Sequence, residues 1–210
     1  MASYVSKTVT CDCCGKEYTT KVVKGFYQNY PMDLDMNPHN PAVFENVRIC
    51  PYCKYTNLST ADEANAKKWE AVRSEQYQKI YADSRYDETA RNLRLAAYIA
   101  EYTENWKEAA EFFLKTAWYF REHYKEEERG AREKAIVCFE KYLEQVPDTE
   151  YAVILVDCLR QTGRFEEALE TADSLLPYIS GNLELCRILN YEKQLIGQRD
   201  SAPHSVSEVF

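Results

Sequence analysis

The sequence predicts an α+β protein, mainly α: a small N-terminal β module followed by stacked antiparallel helices. Three observations carry that prediction. Up to residue 59, apolar residues come in short alternating runs broken by Pro and Asn, the pattern of strands and loops. From residue 60 they recur at i, i+3, i+4 and i+7, the pattern of helices. Two cysteine pairs, Cys11/Cys14 and Cys50/Cys53, sit where extended segments of the first part meet turns.

In the β module, Thr8-Val9-Thr10 leads into Cys11-Asp12-Cys13-Cys14-Gly15-Lys16. Residues Glu17 to Tyr27 are rich in Thr, Val, Tyr and Phe and predict a strand leaving that turn. Residues 28–42 hold Pro31, Pro38 and Pro41 and predict a loop. Val43 to Ile49 alternates again and predicts a strand that delivers the chain to Cys50-Pro51-Tyr52-Cys53.

The two C-x-x-C pairs are separated by 35 residues. Four thiolates brought together make a tetrahedral sulfur site, which favours Zn2+. Cys11, Cys14, Cys50 and Cys53 are therefore the candidate metal ligands, in a module of the zinc-ribbon kind. A redox dithiol and buried free thiols are the competing readings. Four sulfurs close the coordination sphere, so the zinc is expected to be structural. Residues 1–59 are too few for a core of their own, and the ion would stand in for one. Gly15 follows the first pair and admits φ > 0 there; Lys54 holds the equivalent place in the second, which predicts a less ideal or differently shaped turn. Cys13 is either a bystander in its turn or a reactive thiol. His39, in the Pro/Asn loop, reads as a surface histidine rather than a further ligand.

Residues 60–197 predict the helical domain. Thr60 and Glu63 match a capping box, and the helix it opens is expected to run through Trp69 to Tyr81. A second helix starts near Asp87 with Leu93, Ala96, Ala97 and Ala100 on one face. A third carries Trp106, Ala109, Ala110, Phe113, Ala117 and Phe120. A fourth, from about Arg129 to Val146, is stopped by Pro147. A fifth spans Thr149 to Gln161. After Gly163, a stripe from Phe165 to Leu176 reaches Pro177, and a last helix runs from about Asn182 to Ile196. Residues 198–210 predict a flexible tail.

Trp106/Phe165, Ala109/Ala168, Ala110/Leu169 and Ala117/Leu176 share an offset of 59. Gly163-Arg164-Phe165-Glu166-Glu167-Ala168 fits the signature of a tetratricopeptide-like repeat, and Glu104 to Ala109 fits it without the Gly. The offset leaves the helix at 129–146 between two copies. Pairing Ala135 with Ala168 instead makes it a member of the repeat. The sequence leaves both parses open, and both give an antiparallel helical repeat domain.

The 210 residues are 45% hydrophobic and 29% charged, with a net charge of −8. Residues 1–59 carry six Lys/Arg and five Asp/Glu; residues 60–210 carry 20 and 29. The acidic helical part disfavours nucleic acid there, while the ribbon leaves that partner open. Met1 to Lys7 lacks the apolar stretch of a signal peptide, and no segment suits a membrane helix, so a cytoplasmic protein with reduced thiols is expected. Cys138, Cys158 and Cys186 fall on apolar helix positions. No phosphate-cradling glycine loop, nucleophile elbow or histidine pair for a metal occurs, and His39, His123 and His204 do not cluster. The expectation is therefore a protein that is not an enzyme. Its helical domain would bind a protein or peptide partner, and the numerous tyrosines would serve either a binding groove or packing between helices. The second reading places nucleic acid on the ribbon, held by Lys16, Lys21, Lys24, Arg48 and Lys54 with Tyr18, Phe26 and Tyr55 as stacking groups. A third is a redox or metal-responsive switch at Cys13.

With Thr8-Val9-Thr10-Cys11-x-x-Cys14-Gly15-Lys16-x-Tyr18-Thr19-Thr20, the Asn37-Pro38 loop and Val47-Arg48-Ile49-Cys50-Pro51-Tyr52-Cys53-Lys54-Tyr55 in view, the chain resembles a bacterial family known as domain of unknown function 2225. The resemblance covers most of residues 5–196. The family usually has Pro after the first Cys and Gly after the last, where this chain has Asp12 and Lys54. It implies a zinc-ribbon-like N-terminus ahead of tetratricopeptide-like helices, and it implies no activity.

Overall fold

The computed structural model describes residues 2–26, 32–45, 47–57 and 66–210. Strands β1 (Ala2–Thr10) and β2 (Glu17–Phe26) form an antiparallel hairpin that opens from the Thr10↔Glu17 pair, with a bulge at Ser3/Tyr4. A second, two-residue ladder pairs β3 (Arg48–Ile49) with β4 (Thr56–Asn57). The strand expected from Val43 shrinks to β3. Pro41–Val43 is a 3-10 turn, because Pro41 pre-sets a helical φ and the Asn40 side chain accepts from Ala42 N.

Eight α-helices follow among the described residues: α1 (Ala66–Arg73), α2 (Glu75–Ala82), α3 (Glu88–Tyr102), α4 (Trp106–His123), α5 (Lys125–Gln145), α6 (Thr149–Gln161), α7 (Phe165–Ile179) and α8 (Leu183–Gly197). The Thr60/Glu63 capping box, the boundary at residue 59/60, Tyr27 and Pro31 lie outside the described residues. The helix expected through Trp69 to Tyr81 is two helices. Ser74 separates them, its hydroxyl donating to Ala71 O (2.7 Å) and accepting from Tyr77 N (3.2 Å). Asp87, Asn105, Asp148 and Asn182 cap α3, α4, α6 and α8 with side-chain oxygens. Helix α5 starts four residues before Arg129, since Glu126, Glu127 and Glu128 suit a helix N-terminus. Pro177 does not stop α7, which runs two residues further to buried Ile179; in the last turn Pro removes little.

Helices α3/α4 and α6/α7 are joined by the same turn. Thr103, Glu104 and Asn105 amides donate to Ile99, Glu101 and Ala100 carbonyls at 3.0, 3.0 and 2.9 Å. Thr162, Gly163 and Arg164 repeat this on Cys158, Arg160 and Leu159 at 3.1, 2.9 and 2.9 Å. Both threonine hydroxyls bond back to the helix. The central residue is left-handed in each, φ 59° at Glu104 and 78° at Gly163. The backbone therefore matches at the offset of 59, with α5 between the copies, and Glu104 holds without a glycine the conformation that Gly163 takes freely.

The main core runs from α3 to α8 through Leu93, Phe112, Phe139, Leu159 and Leu189, with Cys138 and Cys158 buried in it. A separate cluster joins Cys11, Cys13, Cys50 and Tyr55 to Ala71, Val72, Tyr77, Ile80, Leu95 and Ile99. The cysteine turns thus share a core with α1–α3. Residues 200–210, expected as a loose tail, are packed down. Leu34 N donates to His204 O (2.9 Å), Val206 N donates to Met32 O (2.8 Å), and a 3-10 turn at Val206–Glu208 is closed by a Ser205/Glu208 capping box. Backbone pairing with residues 32–34, which a sequence reading of the tail alone cannot see, holds it. Among the described residues, no helix is long and apolar enough to cross a membrane.

Candidate metal centre

The hairpin end between β1 and β2 and the turn between β3 and β4 have one design. Cys11 N donates to Lys16 O (2.9 Å) and Gly15 N to Cys11 O (2.8 Å). Cys50 N donates to Tyr55 O (2.8 Å) and Lys54 N to Cys50 O (3.0 Å). Gly15 has φ 70° and Lys54 φ 65°. The second turn is therefore not differently shaped. Lys54 accepts the left-handed conformation, its ammonium reaches Pro51 O at 3.1 Å, and Tyr77 Oη donates to its carbonyl at 2.5 Å.

These turns bring the Sγ atoms of Cys11, Cys14, Cys50 and Cys53 within 4.8 Å of one another. Cys11 and Cys53 sulfurs are 3.6 Å apart, and Cys14 and Cys50 sulfurs 3.7 Å. The four cysteines singled out in the sequence are thus one cluster, able to hold a metal ion. Backbone N–H groups of Cys13 and Cys14 point at Cys11 Sγ, that of Lys16 at Cys14 Sγ and that of Tyr55 at Cys53 Sγ. Burial pushes the Cys11 thiol up and that of Cys53 up to about 12. At Cys14, burial is outweighed by hydrogen bonds from Lys16 N–H and the neighbouring thiols, so its thiol lies below the usual range. Four soft donors facing one point, two of them costly to ionise alone, are what a bound cation would stabilise as thiolates.

Cys13 is buried and lies outside the cluster; burial pushes its thiol up to about 11. It lies in the same buried cluster as Tyr55 and Tyr77, and its thiol hydrogen-bonds with that of Cys53. His39 is held in a left-handed turn (φ 48°), where Nε2 meets Asp33 Oδ1 at 2.7 Å, far in role from the sulfurs.

The aromatic groups named for a nucleic-acid face are not brought together. Tyr55 is buried, Tyr18 is half-buried against the cysteine cluster, and Lys21 pairs with Ser6 on the hairpin face opposite Tyr18. The side chain of Phe26 lies outside the described residues. Most helical tyrosines spend their hydroxyls inside the molecule: Tyr98 on Ser74, Tyr119 and Tyr124 on Asp87, Tyr142 on Asp148, Tyr151 on Glu111 and Tyr191 on Glu208. They read as packing between helices.

Two features were not legible in the sequence. Asp35, fully buried, accepts from Trp118 Nε1 and Arg132 Nη1, both at 2.9 Å, and ties the 32–40 loop to α4 and α5. Above it lies a cleft of about 460 Å³ between that loop, α4, α6 and α8, with Leu34, Leu114, Trp118, Ile154, Leu185 and Ile188 in its walls. Separations of 83 and 97 residues leave no local signal for either.

Fold and site together define a mainly helical protein with an N-terminal pair of cysteine turns that meet in a four-sulfur cluster. Residues 4–198 match a family described as an uncharacterized protein conserved in bacteria, domain of unknown function 2225, and the chain belongs to that family. No curated protein and no solved structure matches the chain.

Proposed function

We propose that this chain is a non-enzymatic cytoplasmic scaffold in which a structural zinc ion clasps the N-terminal strands to the helices, and the helices receive a protein partner. The four-sulfur cluster carries the reading. A tetrahedral zinc–thiolate site with bonds near 2.3 Å has sulfurs about 3.8 Å apart; two sulfur pairs here lie at 3.6 and 3.7 Å, and all four sulfurs lie within 4.8 Å of one another. Four protein sulfurs leave no position for water or substrate, so the ion's contribution is to folding. Thiolate ligands suit a compartment that keeps thiols reduced, which favours the cytoplasm.

The cleft supports the partner half of the reading. Its walls are largely apolar, its volume is in the range of ligand sites, and Glu111, Glu150 and Glu184 line it against a single Lys115, which pairs with Glu111. An apolar segment with basic flanks complements that surface. Two measurements test the proposal. Metal analysis of the full chain, purified under reducing conditions, should find one zinc per chain; a metal-free, folded chain refutes the clasp. Capture from the bacterial host should yield a partner that Ile188→Glu loses; a partner held equally by both refutes the cleft.

A further inference from the structure

From the face where the cysteine turns meet α1, we infer that this protein binds single-stranded nucleic acid there, with bases stacked on Tyr52 and Trp69 and phosphates held by Lys16 and Arg73. Of the residues the sequence suggested for nucleic acid, Lys16 is kept, while Tyr52, Trp69 and Arg73 are new. A shallow hollow on this face is lined by Cys14 and Cys53, by these four side chains and by their neighbours. Tyr52 is 57% exposed, and Lys16 Nζ sits 4.9 Å from its ring centre. Trp69 is half-buried, and the Arg73 guanidinium lies 4.8 Å from its ring centre. Lys16 and Arg73 are both exposed. Two flat rings lining one hollow, each with a cation over it, are the combination that takes a base and its phosphate without regard to sequence.

The charge distribution singles out this end of the molecule. Elements β1–β4 with their turns and α1 hold nine Lys/Arg against three Asp/Glu, whereas residues 74–210 hold 17 against 26. Of the other acids up to residue 73, Asp33 and Asp35 face Arg121 and Arg132 and Glu45 meets the Tyr4 hydroxyl, while Asp62 and Glu63 lie outside the described residues. A polyanion is therefore drawn to this face and repelled by the rest of the surface. The rigid turns beneath hold the rings in place: Tyr52 rides on the Cys50–Cys53 turn, and Trp69 packs against the same cluster. A protein partner with an acidic segment would meet the same cations but would gain nothing from two parallel uses of aromatic surface.

The test uses the full, metal-loaded chain and a fluorescein-labelled oligo-dT of about 20 nucleotides, long enough for any single site of this class. Anisotropy should report a dissociation constant that rises with salt, with a log–log slope near +1.4 for two phosphate contacts on a single strand. Tyr52→Ala should weaken binding by roughly 5- to 100-fold, the range for loss of one stacked base, and Tyr52→Trp should restore it. Arg73→Glu should weaken binding and flatten the salt slope. Both substituted side chains are exposed, and unchanged melting curves would confirm that the variants are folded. No binding at about 50 mM salt, where electrostatic contacts are strongest, overturns the inference. So does binding that Tyr52→Ala and Arg73→Glu leave intact, or binding of poly-glutamate as tight as that of oligo-dT at equal salt. The clasp and the cleft are read by metal content and by Ile188→Glu, so their failure is distinct from failure here.

Discussion

Replacing Asp35 by Ala should be among the most damaging single changes in the helical part. The carboxylate is fully buried and takes three short contacts: Trp118 Nε1 and Arg132 Nη1 at 2.9 Å and Asn37 N at 3.2 Å. Arg121 approaches it to 3.8 Å. Burial pushes this carboxyl up, but Arg132 and Arg121 more than offset that and leave it below its ordinary range. Without it, Arg132, itself buried, is left with Glu128 at 3.2 Å and the more remote charge of Asp157 among the described residues. Stranding one member of a buried pair costs about 3–5 kcal/mol, which at about 2–4 °C per kcal/mol for a chain of this size lowers the melting midpoint by roughly 6–20 °C. Urea denaturation of Asp35→Ala, Arg132→Met and the double variant forms the cycle that isolates the pair. The double variant should be less destabilised than the sum of the singles by at least about 2 kcal/mol. Strict additivity, or a loss below about 1 kcal/mol for Asp35→Ala, refutes the reasoning. Because the folded carboxyl is held low, its contribution should be complete above about pH 5 and fade as pH falls through its folded value, below about 4.

Lys54→Gly should stabilise the metal-loaded chain by up to about 1 kcal/mol, since it removes the cost of a left-handed non-glycine residue; Lys54→Ala should not, and equal effects of the two on chemical denaturation would show that the side chain rather than φ is responsible. Glu192 is buried beside Arg160 (2.7 Å), and its Oε1 finds no hydrogen-bond partner among the described residues. Burial, then the Asp157 charge, pushes its carboxyl well up despite Arg160. The wild type should thus lose stability relative to Glu192→Gln as pH rises above about 4.3, the unfolded value; denaturation at several pH values giving the opposite trend would defeat the assignment. Removing residues 201–210 takes from Leu34 N its acceptor and from Arg160 the Ala202 carbonyl, so amide exchange at Leu34 should accelerate markedly, and unchanged protection would mean that the tail does not hold the loop.

The parts of the fold that were legible in the sequence are those built by local rules. Period 3.6 located most helices, and C-x-x-C spacing identified all four clustered cysteines. The misses arise where a local preference was outvoted. Lys54 was expected to spoil the second turn, but the hydrogen bonds at Cys50 N and Lys54 N and the Tyr77 contact hold it in φ 65°. Ser74 breaks a continuous apolar pattern because its hydroxyl serves both helix ends. Tyr55 was expected as a stacking group beside the ribbon's basic residues; it is core because α1–α3 lie on it. The Asp35–Arg132 pair and the cleft depend on contacts across most of the chain, which no window of sequence contains.

Tyr77 explains why the cysteine turns and the helices have to be understood together. Its ring is fully buried, its hydroxyl donates to Lys54 O, and Thr56 Oγ1 lies 3.0 Å from the same oxygen. One side chain from α2 therefore holds the turn that carries Cys50 and Cys53, while its ring packs in the cluster that contains Cys11, Cys13 and Cys50. A module of about 60 residues built on one two-stranded hairpin and a two-residue ladder has too little apolar surface to stand alone. The helices supply the missing wall, and an ion in the sulfur cluster would supply the missing cross-link. Loss of either would release the other side of the same core. The exposed face of Tyr52 and Trp69 is built on that shared core, so its geometry inherits the rigidity of both halves, whereas the cleft at the Asp35 loop rests on the main core and is independent of the sulfurs. The molecule thus carries two candidate binding faces on two separate cores, one beside the cysteines and positively charged, the other among the helices with an acidic lining.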